Sequence, residues 1–102
     1  MGKHRIRESL IRKIVNIVVH ELVAMRTNRP EAAHFLQAEI IEYRTQAEKT
    51  AEEYHWNETD KEQIAKKALS LIKERLLSKY PDVNYSEHDA VRKLADAMKN
   101  IM

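Results

Sequence analysis

Ile11-Arg12-Lys13-Ile14-Val15-Asn16-Ile17-Val18-Val19-His20-Glu21-Leu22-Val23-Ala24-Met25 decides the fold. It is the most apolar run in the chain and the natural centre of a core. Val and Ile are mediocre helix formers, because a branched Cβ loses rotamer freedom against the preceding turn. A strand must therefore be weighed. The alternation a half-buried strand needs fails over residues 14–19, whereas an i, i+3, i+4 pattern runs from Ile6 to Met25. The segment reads as a helix. With Leu10 as reference, Ile6, Ile11, Ile14, Val15, Ile17, Val18, Leu22 and Met25 fall within an arc of roughly 180°. A helix packed on one side needs only about 100°. This one should touch several partner helices, or one partner and a second subunit. Val19 and Val23 fall outside the arc and read as apolar surface. Glu21 falls inside it, about 20° from Leu10. A buried carboxylate needs a cation or a proton, so Glu21 reads either as a rim residue paired with Arg or Lys, or as a buried polar site.

Three further helices follow. Asn28 caps the second, Pro30 suits its first turn, and Glu31 completes a capping box. Its seam is Ala33, Leu36, Ile40, Tyr43, Ala47, Thr50 and Tyr54, alternating steps of three and four. Phe35 and Ile41 lie off that seam. Thr59 with Glu62 reads as the box of the third helix, Trp56 as a staple before it, and Pro81 as its stop. The stripe of the third helix runs from Ile64 to Tyr80, with Leu71 and Leu77 widening it. Ser86 caps a shorter fourth helix with stripe Val91, Leu94, Ala95, Met98 and Ile101. The expected fold is all-α: a four-helix, mostly antiparallel bundle over about 5–27, 29–55, 59–80 and 86–101. Its 102 residues form one domain, 1–102.

Charge alternates in blocks. Residues 1–29 carry seven Lys/Arg against two Asp/Glu, residues 30–58 carry two against seven, and residues 59–80 carry six against three. Sequential helices usually pack as neighbours. This order predicts an acidic second helix lying between basic first and third helices.

Composition excludes much chemistry. With no cysteine there is no disulfide, thiol nucleophile or thiolate zinc site. The one glycine, Gly2, leaves the body of the chain without the Gly-rich phosphate loops, the dinucleotide fingerprint and the nucleophile elbow. No catalytic set emerges and no cofactor is expected. Charges interrupt the apolar run, so neither a signal peptide nor a membrane span is read, and the expected compartment is cytoplasmic.

Glu-x-x-His occurs twice, at Glu31/His34 and Glu52/His55. That spacing puts two metal ligands on one helix face. Both pairs lie on the second helix, however, about 31 Å apart and off its seam, so solvated surface is the reading preferred over a metal site. His88-Asp89 reads as the first turn of the fourth helix.

Three functional readings remain, a metal-binding helical bundle being the least favoured. The preferred one is a non-enzymatic interaction module that self-associates, a dimer at first estimate, through the first helix. Its warrant is leftover apolar surface at Val19, Val23, Phe35 and Ile41. The second is nucleic-acid binding through basic faces of the first and third helices, carried by Arg5, Arg12, Lys13, Lys66, Lys67 and Lys73.

Overall fold

The structure, a computed structural model, describes residues 2–26, 30–81 and 85–102, with the side chains of all these except residues 26, 30–33 and 35. The cap at Asn28 and the side chains of Glu31, Ala33 and Phe35 lie outside the described set. The described residues form four helices: α1 (Gly2–Arg26), α2 (Pro30–Ala51), α3 (Glu58–Lys79) and α4 (Glu87–Ile101). None is long and apolar enough to cross a membrane among the described residues.

α1 is the axis of the bundle. Leu10, Ile11, Ile14, Val15, Ile17, Val18, Val19 and Leu22 are each at most 1% exposed. Its 25 residues span about 37 Å at 1.5 Å per residue, which sets the 41 Å long dimension of the molecule. Three helices surround it. α2 runs antiparallel: Tyr54, just beyond its end, meets Gly2, and Arg44 meets Glu21. α3 runs parallel, with Lys3 on Asp60, Arg7 on Gln63, Glu8 on Lys67 and Asn16 on Arg75. α4 is antiparallel to α3, as the Lys73–Glu87 pair and the approach of Ala65 to Met98 show. The chain therefore runs up, down, up, down.

The expected order of neighbours is overturned. α2 does not lie between α1 and α3. α1 lies between them, and α2 and α3 make no contact among the described residues. The magnitudes explain the outcome. Burying a Val, Leu or Ile contributes about 1.5–3 kcal/mol per side chain, and α1 buries eight. A surface ion pair contributes about 0–1 kcal/mol. The widest apolar helix takes the position with most neighbours, and the charge blocks follow. One pair between α1 and α2 even uses the minority charge of each block: Glu21 of α1 bonds Arg44 of α2.

Because α2 and α3 sit on opposite flanks of α1, residues 52–57 must cross one end of the bundle. Trp56 seals that end at 6% exposure. Its indole N–H donates to the carbonyl of Ala51 at 2.9 Å, satisfying an end group of α2. Lys3 Nζ stands 5.5 Å from the indole centroid, and Tyr54 meets the ring edge-on at 6.2 Å. This crossing moves two expected boundaries. α2 stops at Ala51 rather than His55, and Ala51 replaces Tyr54 as the last buried seam position. The capping box of α3 is Asn57 with Asp60, not Thr59 with Glu62: Asp60 N–H donates to Asn57 Oδ1 at 2.8 Å, and Asn57 N–H to Asp60 Oδ2 at 3.2 Å. Both registers are spelled in the sequence. The earlier one sets the cap directly behind the buried Trp56. Ser86 caps α4 as read, accepting from Asp89 N–H at 3.0 Å.

Candidate functional site

Glu21 is half-buried at a three-helix junction and pairs with Arg and Lys, as its rim reading has it. Its Oε1 accepts from Arg44 Nη2 of α2 at 3.0 Å, and its Oε2 lies 3.7 Å from Lys93 Nζ of α4. The carboxylate is 15% exposed, and both oxygens are engaged. Arg44 Nε is buried and finds no hydrogen-bond partner among the described residues. On the residue just before it, His20, Nε2 stands 2.9 Å from Glu39 of α2 and Nδ1 stands 2.6 Å from the Asn16 carbonyl. Above Glu21 opens a cleft of about 530 Å³ between α1, α2 and α4, with Met25, Ile41, Lys93, Asp96 and Lys99 on its walls. Glu21 is the carboxylate that ties three helices in register, and the signal for it was legible: one acid inside an apolar arc.

The four expected interface residues do not form one patch. Val19 is 1% exposed and belongs to the core, so the surplus width of α1 is absorbed by three neighbours within one chain. Val23 is half-buried against the core. Phe35 lies outside the described side chains. Of the three described, Ile41 alone is open, at 64%.

Apolar surface lies elsewhere. A groove of about 340 Å³ runs between α3 and α4, lined by Ala65, Leu69, Val91, Leu94, Ala95 and Met98, with the aliphatic stem of Lys66 along its edge. Val91 is 45% exposed. The sequence placed these residues in two helical stripes and assigned them to the core. The groove arises because α4 carries more apolar positions than α1 and α3 can cover. Leu77, expected to widen the buried stripe of α3, instead faces solvent.

The six basic candidates are not gathered into one strip. Arg5 and Arg12 are exposed on α1. Lys67 holds both oxygens of Glu8 at 2.7 and 2.8 Å, Lys73 holds Glu87 at 2.5 Å, and Lys13 donates to Ser9 at 2.6 Å. Lys66 opens on the α4 side of α3, away from α1. Of the metal candidates, His34 is exposed, while Glu52 and His55 are exposed beyond the end of α2 and no longer share a helical turn. Among the described residues no three His, Cys, Asp or Glu side chains converge as a metal set.

The ion pairs make stability depend on acid. The Lys67 ammonium bonded to Glu8 holds that carboxyl below the usual glutamate range. Lys3 does the same for Asp60, helped by the Asn57 N–H, and Lys73 does so for Glu87. A carboxyl with a depressed folded value stabilises the fold fully above its unfolded value and loses that contribution as pH falls through the folded one. Urea midpoints are therefore expected to be flat above about pH 5 and to fall below about pH 4. The decline should flatten in Lys67→Ala. A midpoint that rises between pH 5 and pH 3 contradicts this pairing.

With the geometry in place, comparison with known proteins adds no relative: no family model, no curated protein and no solved structure matches this chain.

Proposed function

We propose that the chain is a non-enzymatic helical interaction module that associates with itself, and that its contact surface is the α3–α4 groove rather than α1. One observation supports the reading. The groove remains open and apolar beside a core in which twelve side chains of α1 and α3 are essentially closed to water, Ile64 and Ile72 among them at 0%. Apolar area left in water gains about 25 cal/mol per Å² when a partner covers it, and concave apolar surface is where partners bind. Glu21, which sequence alone left open as a buried polar site, is already shared by two cations within the chain.

Sedimentation velocity tests this reading. The apparent mass is expected to rise above the 12.0 kDa of one chain as concentration increases. Val91→Asp places a charge in the groove without touching the core and is expected to hold the protein at monomer mass. Wild-type protein that stays monomeric at high micromolar concentration overturns the reading.

A further inference from the structure

We propose that the cleft between α1, α2 and α4 binds a small amphiphilic anion, an oxyanion head on a short aliphatic stem. The inference goes beyond the self-association reading and does not rest on it. α4 gives Val91, Leu94, Ala95 and Met98 to the groove beside α3, and a different set, Lys93, Asp96 and Lys99, to this cleft. At about 530 Å³ the cleft has the size of small-molecule sites, about 300–1,000 Å³.

Its charge is unbalanced at the half-buried residues. Arg44 and Lys93 share one carboxylate, that of Glu21. Lys93 Nζ, at 3.7 Å, is beyond hydrogen-bond reach of it, so the ammonium donors find no acceptor among the described residues. Arg44 donates to Glu21 through Nη2, but its buried Nε finds no acceptor there either. Buried N–H donors are ordinarily paired, and a guanidinium beside an ammonium is a combination that oxyanions satisfy. Asp96 has the opposite sign, but it is exposed, and Lys99 three residues on along α4 offsets it. Three cations against two carboxylates leave the cleft with one positive charge in excess. The apolar wall is the second, separate observation. Met25 and Ile41, 49% and 64% exposed, stand in the same cleft with buried Ile40. Unmet donors beside wet apolar side chains call for a ligand with both characters.

NMR titration of isotope-labelled protein tests the site, with hexyl phosphate and inorganic phosphate as probes. Hexyl phosphate is expected to shift the Arg44 Nε–Hε resonance saturably. Inorganic phosphate is expected to do so at least about tenfold more weakly, since each buried methylene of the stem favours binding. Lys93→Met is expected to weaken hexyl phosphate about tenfold by removing a charge-assisted donor. Lys99→Met, at an exposed position, is expected to weaken it about threefold. Circular dichroism checks that both variants keep the helical fold. Ile41→Ser is expected to narrow the gap between the two probes and to leave inorganic phosphate unchanged. Equal affinity for the two probes overturns the amphiphilic ligand. An Arg44 resonance unmoved by millimolar hexyl phosphate, or a shift that neither lysine variant weakens, overturns the site itself.

Discussion

Val19→Asp is expected to leave the chain unfolded at 25 °C, whereas Ile41→Asp is expected to shift stability by less than about 0.5 kcal/mol. By helical angle alone the ranking is less clear, since both positions fall outside the main apolar faces of their helices. The structure separates them: Val19 is 1% exposed and Ile41 is 64% exposed. Val19 lies on the α3 side of α1, between the direction of Glu8, which holds Lys67, and that of Asn16, which holds Arg75. An aspartate there loses about 1.5–3 kcal/mol of apolar burial. It also adds the cost of an uncompensated buried charge, several kcal/mol, or must take up a proton. Together these approach the whole stability of a small domain, about 5–15 kcal/mol. Far-UV circular dichroism and urea unfolding of the two variants give the comparison. A Val19→Asp protein that melts like wild type means that α3 does not cover this side of α1, and the arrangement of helices described above is wrong.

Trp56→Ala is expected to cost about 3–5 kcal/mol, as truncations of buried aromatics do. At roughly 4–8 °C for each kcal/mol in a domain of this size, the melting temperature should fall by well over ten degrees. The reason lies in topology. Trp56 is the one buried side chain in the crossing from α2 to α3, and it fills the end of the bundle where α1 begins and α4 finishes. Trp56→Phe keeps much of the ring but leaves the Ala51 carbonyl without its indole donor. Its expected cost is lower, about 1–3 kcal/mol. The chain has a single tryptophan, so in the wild type its fluorescence reports whether this end of the bundle is closed. A loss below about 1 kcal/mol in Trp56→Ala means the crossing is a loose tether and not a seal.

Much of the fold could be read from residue spacing. The helical period of residues 6–25, the Ser86 cap and the stop at Pro81 are local signals, and each appears where it was read. The errors share a cause. Ala51 and Tyr54 both fit the end of a seam, and Asn57 and Thr59 both open a capping box. Local sequence offers two registers, and the path across the bundle end selects one. Glu21 was legible as an anomaly but its partners were not, since Arg44 and Lys93 sit 23 and 72 residues away on helices whose order was unknown. The α3–α4 groove was invisible for a related reason. Val91, Ala95 and Met98 form a regular amphipathic stripe, and periodicity marks a stripe as apolar without saying how much of it a neighbour covers.

Helix content, the number of helices and the primacy of the first helix follow from the sequence, because a 3.6-residue period is a property of the chain near each residue. Which helices touch is a property of the whole. It depends on how much apolar width each helix brings, and α1, with the most, takes the centre and parts α2 from α3. Only that packing decides that Val19 is core, that Glu21 is a junction, and that an uncovered apolar groove opens between α3 and α4.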